Sequence, residues 1–273
     1  MERPVLDLSV VDGWPVDHVA VGVTAPDRVL ATHGDPDQQF RLASISKLLT
    51  AWATLIAIEE GTLHLDTPGG PPGSTVRHLL AHASGLDFDS ETILSAPARR
   101  RIYSNTGIEV LAGLLTEHAG MPFEAYLRQG VFEPLGMDTT ELRGSPAHGA
   151  HSTVLDLLRF GRELLEPTLL APETVTMAFQ PIWPALAGVL PGVGRFDPLP
   201  WGLGFEIRGR KKPHWTSAAN SPGTVGHFGG SGTFLWMDPT ARRSCVCLTD
   251  RPFDNWALAH WPAVSDAALA PHA

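Results

Sequence analysis

The stretch from Ser44 to Gly61 constrains the fold of this chain more than any other. After Ser44-Ile45-Ser46-Lys47 it runs through Leu48, Leu49, Ala51, Trp52, Leu55, Ile56 and Ile58 to Glu59-Glu60-Gly61. Wound as a helix, that pattern puts apolar side chains almost all the way round, so the helix has to be enclosed by other elements. Gly61 is the residue that closes it. With 273 residues, 43% of them hydrophobic, the chain is long enough for one large domain or two intimately joined lobes around such a helix.

The start of the same helix carries chemistry. Positions i and i+3 lie on one helical face, with Cβ atoms about 5–6 Å apart. Lys47 therefore reaches the Ser44 hydroxyl, and a hydroxyl becomes a useful nucleophile once a neighbouring base takes its proton. The unpaired N–H groups and the dipole at a helix N-terminus favour developing negative charge there. Lysine usage points the same way: the chain holds three lysines (Lys47, Lys211, Lys212) against seventeen arginines. An arginine at position 47 would stay protonated and could not act as a base.

Two further stretches supply what the pair lacks. Tyr103-Ser104-Asn105 stands just ahead of a helical pattern. Its phenol suits proton relay between a serine and a leaving group, and its amide suits a substrate carbonyl or the lysine. Gly226-His227-Phe228-Gly229-Gly230-Ser231-Gly232 reads as a glycine-rich strand edge that lets a ligand approach closely. A backbone N–H on that edge, with the N–H of Ser44, would cradle an oxyanion.

Strand patterns cover 18–24 and 27–33. Helical patterns follow at about 75–83, 106–119, 122–131, 153–165 (with Ser152 as cap) and 172–179. Residues 180–200 are rich in proline and glycine and read as a surface loop or lid. Strand patterns return at 201–207, 224–228, 232–238 and 243–249, and a last amphipathic helix covers about 253–269. Early and late strands join most simply in one antiparallel sheet flanked by helices, an α/β arrangement of α+β type. The expectation is a single domain over 1–273. Its α/β lobe takes in about 1–60 and 201–273, and a reduced all-helical lobe about 61–200, with a cleft between them.

Charge excludes some partners. The net charge is −9, and the basic run Arg208-Gly209-Arg210-Lys211-Lys212 reads as a solvated hairpin turn. No nucleic-acid partner is expected. No apolar run is long enough to span a membrane, and Met1 to Asp7 lacks the pattern of a secretory leader, so a cytoplasmic enzyme is the expectation. Cys245 and Cys247 fall on one face of a strand as small apolar residues. His148-x-x-His151 has no further ligands at recognisable spacing, and neither metal nor other cofactor is expected. No Gly-x-Ser-x-Gly elbow occurs, which argues against an α/β-hydrolase.

Ser44-x-x-Lys47, Tyr103-x-Asn105 and His227-x-Gly229, in that order, resemble the serine β-lactamase and penicillin-binding-protein superfamily. The Tyr-x-Asn form is similar to the branch of class C β-lactamases, D-alanyl-D-alanine carboxypeptidases and family VIII esterases. Leu79 to Leu86, Pro134-Leu135-Gly136-Met137 and Trp201 to Phe205 resemble secondary markers of that branch, so the likeness runs from about residue 18 to 265. It implies the β-lactamase/transpeptidase-like fold. It also implies Ser44, Lys47 and Tyr103 as catalytic residues, with Asn105, His227, Gly229 and Gly230 about the substrate and the oxyanion. In the lactamases the third motif is Lys-Thr-Gly, whose lysine holds a carboxylate; here it is His227-Phe228-Gly229. That departure moves the expected small-molecule substrate from β-lactams towards esters, with amides still open. The short helical segment implies a more open cleft. An acyltransferase or peptide cyclase with the same nucleophile, and a non-catalytic ligand-binding module, are the alternatives.

Overall fold

The computed structural model describes residues 6–271. The expected absence of a leader falls mostly on Met1 to Val5, outside that range. The chain opens with β1 (Val19–Thr24), β2 (Val29–His33) and β3 (Phe40–Arg41), then α1 (Ser46–Glu59) and α2 (Val76–Leu80). Next come α3 (Asn105–Ala119), α4 (Phe123–Leu127), α5 (Glu133–Leu135), β4 (Glu141–Leu142), β5 (Ala150–Ser152), α6 (Val154–Leu165) and α7 (Pro172–Ala178). A hairpin of β6 (Gly188–Leu190) and β7 (Gly194–Phe196) follows. The chain then returns through β8 (Glu206–Ile207), β9 (Val225–Gly229), β10 (Thr233–Asp238), β11 (Arg243–Thr249) and α8 (Asn255–Leu269).

Early and late strands do share a sheet. Its order is β2-β1-β11-β10-β9-β8, and every neighbouring pair is antiparallel. Side chains alternate between its faces, as period two requires. Leu235, Met237, Val246 and Leu248 face the cluster that holds α1 and α6. Phe234, Trp236, Cys245 and Cys247 face the other, with Trp256, Trp261 and Val264 of α8. Both cysteine thiols are buried, and burial pushes their pKa values up, away from reactivity.

α1 is enclosed, as its composition demands: every residue from Ser46 to Ala57 is buried. Trp52 packs edge-on against Phe160 and Phe205. Gly61 ends the helix at φ +75°, and its N–H bonds to the carbonyl of Ile58.

Several local expectations are corrected. The cap of α6 is Thr153, whose hydroxyl accepts from the Asp156 N–H at 3.3 Å. Ser152 instead ends β5 and bonds to the Thr140 hydroxyl. The segment 201–207 forms a strand only at Glu206–Ile207. Before it, Gly204 takes φ +92° so that its backbone can pass Ala51, where a Cβ would lie 2.1 Å from that of the alanine. The helical run after residue 122 carries a π-helical turn over Arg128–Phe132. Residues 188–196 form a hairpin where a loop was expected.

The basic run is a turn that is solvated only in part: Arg210 and Lys212 are exposed, while Arg208 is buried. Lys211 is buried, 2.6 Å from Glu206 Oε1 and 2.7 Å from the carbonyl oxygen of Ile207. A buried carboxylate five residues upstream, unseen in a local reading of charge, draws it inward. Among the described residues no helix is long and apolar enough to cross a membrane.

Candidate active site

Ser44 lies in a 3-10 turn, Ala43–Ile45, that feeds directly into α1. Ala43 sits at φ +47°, a region an alanine rarely takes. The turn is held from outside. The Ser231 hydroxyl donates to the carbonyl of Arg41 at 2.7 Å, and that of Thr233 to the carbonyl of Leu42 at 2.9 Å. Gly229 passes so close that a Cβ there would lie 2.1 Å from the Leu42 oxygen. The turn after β9 is thereby stitched to the backbone just before Ser44. Gly230 follows Gly229 and lines the same cleft as Ser44. The Ser44 N–H is in the first turn, where helical N–H groups lack an intrahelical acceptor.

Lys47 projects from the first turn of α1 into the interior and is 1% exposed. Its Nζ lies 3.2 Å from Ser44 Oγ, 2.5 Å from Asn105 Oδ1 and 2.9 Å from the carbonyl oxygen of Ala147. Burial lowers its pKa to about 7, against the opposing pull of Asp89 and Glu109. Near neutral pH the amine is thus divided between a charged and an uncharged form.

Asn105 is the first residue of α3, and Ser104 is its cap, accepting from the Gly107 N–H at 2.9 Å. While Oδ1 takes the lysine, the Asn105 Nδ2 donates to Asp89 Oδ1 at 2.7 Å. The amide is therefore fully oriented, and its oxygen faces Lys47.

Tyr103 is buried among His82, Phe88, Trp201 and His227. Lys47 Nζ stands 4.8 Å above its ring. The phenol lines the same cleft as the Ser44 hydroxyl, and burial drives its pKa upward, so it is neutral. On its other side Tyr103 Oη is 2.7 Å from His227 Nε2.

His227 is 2% exposed. Its Nδ1 faces Glu206 Oε2 at 3.6 Å. A carboxylate accepts only, so this orientation favours the proton on Nδ1 and leaves Nε2 to accept from the phenol. Burial also holds the His227 pKa down, which keeps the imidazole neutral. Glu206 itself is buried, yet Lys211 and His214 hold its carboxyl well below the usual range despite the cost of desolvation. Its oxygens also accept from His214 Nε2 at 2.9 Å and Trp215 Nε1 at 2.8 Å.

Ser44, Tyr103, His227 and Gly230 line one cleft of about 200 Å³, with Phe88, Phe228 and Phe253. Lys47, Asn105 and Gly229 do not line it: Lys47 and Asn105 are joined to Ser44 through the lysine, and Gly229 packs against the backbone of Leu42. The sequence reading missed Glu206, Lys211 and His214 behind His227, and Asp89 behind Asn105. A glutamate between Phe205 and Ile207 was the one available signal, since an acid in an apolar run asks for a partner. Among the described residues no cluster of three or more His, Cys, Asp or Glu side chains is arranged to hold a metal ion.

Comparison with known proteins converges on one group. A family model described as Beta-lactamase matches residues 12–269. The crystal structure of a beta-lactamase from Mycobacterium bovis superposes with a TM-score of 0.95 at 52% identity, covering 96% of this chain and 97% of that one. Penicillin-binding protein 4* of Bacillus subtilis is 32% identical over 157 residues, 43% of this chain and 35% of the relative. Esterase EstB of Burkholderia gladioli is 29% identical over 148 residues, 37% of this chain and 38% of the relative. The chain thus spans little more than a third of the length of these two curated relatives.

Proposed function

The chain belongs to the Beta-lactamase family, and on that basis we propose that it is a serine hydrolase acting on small-molecule carboxylic esters through an acyl-enzyme at Ser44. The observation that carries this reading is Lys47 Nζ, 3.2 Å from Ser44 Oγ on an amine whose pKa burial has lowered to about 7. A general base works best with a pKa near the operating pH.

Neutral Lys47 takes the Ser44 proton as Oγ attacks the ester carbonyl. The carbonyl oxygen becomes an oxyanion facing the N–H groups of Ser44 and Gly230, and each such donor is worth about 10²–10³ in rate. As the intermediate collapses, the carbon–oxygen bond to the alcohol breaks. Tyr103 gives its phenolic proton to the departing oxygen and recovers one from protonated Lys47. Water then repeats the transfers in reverse, releasing the acid and restoring the Ser44 hydroxyl. Asn105, itself held by Asp89, orients Lys47. His227, backed by Glu206, holds the phenol neutral and aimed.

The third motif supports esters over β-lactams. His227 is neutral and committed to Tyr103, Phe228 is buried, and Lys211 is spent on Glu206. Nothing in that motif offers a free cation to a carboxylate beside the reacting bond. In the test, Ser44→Ala abolishes turnover of nitrophenyl esters and labelling by a serine-directed phosphonate. Nitrophenyl esters turn over faster than a chromogenic cephalosporin. Labelling that persists at the full rate in Ser44→Ala rules out Ser44 as the nucleophile.

A further inference from the structure

The catalytic cleft does not end at Tyr103. Beyond the phenol lies a second cavity of about 430 Å³, within the range of roughly 300–1,000 Å³ usual for small-molecule sites. It shares Phe88, Tyr103 and Pro191 with the cleft at Ser44 and so continues it. Its walls are the loop carrying Phe88 and Leu94, the segment Arg100 to Tyr103, and the β6–β7 hairpin.

Two features of these walls call for a ligand. Phe88, Leu94 and Val189 are large apolar side chains exposed by 43%, 43% and 53%, and all three line this one cavity. Scattered exposed apolar residues are ordinary, whereas a cluster in a concavity marks a binding site. The second feature is charge. Arg100 and Arg195 line the same cavity, and neither has a carboxylate within ion-pair distance among the described residues. The chain carries nine net negative charges, so acids to pair with them are not scarce. The Arg100 guanidinium donates to the carbonyl of Leu94 at 3.0 Å, which holds it beside the apolar loop.

Resting on the reading of Ser44 as an esterase nucleophile, we propose that this cavity binds the alcohol arm of the substrate, an aliphatic chain that carries an anionic group at its far end. Tyr103 stands between the two cavities and protonates the departing oxygen, so the arm lying beyond it is the one that leaves. The apolar walls take the methylenes. Two unpaired guanidiniums take a carboxylate, sulfate or phosphate through charge-assisted hydrogen bonds. The lack of a free cation in the third motif fits this arrangement, because the charge of such a substrate is recognised at a distance from the scissile bond.

The test holds the acyl group constant. Acetates of unbranched alcohols from ethanol to hexanol all form the same acetyl-enzyme, so differences in kcat/KM report the alcohol arm. Each added methylene is expected to raise kcat/KM about 2- to 4-fold until the cavity is filled. An acetate whose alcohol chain ends in a carboxylate is expected to exceed its uncharged counterpart about tenfold. Val189→Asp flattens the hexyl-to-ethyl ratio measured within that variant. Arg100→Gln combined with Arg195→Gln removes the carboxylate advantage while the hexyl-to-ethyl ratio stays. A flat alcohol series, or rates that follow acyl length in nitrophenyl esters and ignore alcohol length, overturns the assignment of the cavity. Absence of any advantage for the carboxylate overturns the anionic end. If the wild-type protein turns over no ester, or Ser44→Ala leaves turnover intact, the nucleophile reading has failed instead.

Discussion

Replacing Lys47 with methionine separates what this residue contributes to chemistry from what it costs the fold. Methionine keeps the apolar stem and loses the amine. In the unfolded chain the amine titrates near 10.5, and in the folded protein near 7. A difference of 3.5 pKa units corresponds to about 5 kcal/mol, at about 1.4 kcal/mol per unit. The folded pKa of a base is the lower one, so between these values the unfolded state binds the extra proton and stability rises with pH. The penalty is complete below pH 7, fades from 7 upward and is gone above 10.5. Lys47→Met cannot titrate and escapes this dependence. Losing three hydrogen bonds offsets part of its gain, because Asn105 Oδ1 and the Ala147 carbonyl oxygen are left buried without that donor. That offset is independent of pH, whereas the gap between variant and wild type is not. The gap is expected to shift in favour of the wild type by roughly 2–3 kcal/mol between pH 7.5 and 9.5. Urea unfolding followed by the fluorescence of the eight tryptophans measures it at each pH. Parallel stability curves across that range would show that Lys47 is not a buried amine of depressed pKa, and the case for it as base would fall with them.

In the same pH range, wild-type kcat/KM is expected to climb through an acid limb near pH 7 as Lys47 loses its proton, and a pH–rate profile flat from 5 to 9 contradicts that. Tyr103→Phe removes the hydroxyl that bonds to His227 and lines the Ser44 cleft, and should lower kcat by about 10²–10⁴, measured with nitrophenyl acetate. Glu206→Gln leaves Lys211 buried without its counter-charge and should cost roughly 3–5 kcal/mol, while adding Lys211→Met should restore most of it in thermal unfolding. Gly229→Ala drives a Cβ to 2.1 Å from the Leu42 oxygen and should destabilise by about 1–3 kcal/mol; Gly230→Ala, whose Cβ would meet nothing within 4 Å, should be nearly neutral in stability.

What the sequence reveals here is governed by how local each interaction is. The Ser44–Lys47 spacing is helical geometry, readable within four residues, and the enclosure of α1 follows from its own composition. The alternation of Cys245, Val246 and Cys247 likewise predicts its two faces. Longer-range partners leave weaker traces. Ala147 contributes a backbone oxygen to Lys47, and every residue type has one. Asp89 reaches Asn105 across 16 positions, with no periodicity to mark it. Lys211 was misread because charge runs are usually solvated. Its burial depends on Glu206, which in turn depends on His214, Trp215 and His227 arriving from separate turns and strands. Position 201–207 shows the converse: its pattern suits a strand throughout, and Gly204 gives up pairing there so that the backbone can clear α1.

Arg101 has a consequence of a different kind. Its guanidinium donates to the carbonyl of Ala81, to that of Leu199 at 3.0 Å, to that of Ile182 at 2.8 Å and to that of Trp183 at 3.3 Å. Its own N–H bonds to the carbonyl of Ala187. One side chain thus fastens both ends of the segment bearing the β6–β7 hairpin. Apart from Tyr103, two residues along from Arg101, the groups around Ser44 hang on other supports: α1, the start of α3 and the turn after β9. If the hairpin reads the alcohol arm as proposed, it does so on a support of its own, meeting the Ser44 cleft only through Pro191 and Gly192. A graft that exchanges residues 184–197 while keeping Arg101 and its four acceptors is then expected to change the alcohol preference and leave Ser44 and Lys47 where they stand, which makes this hairpin the natural cassette for redesign.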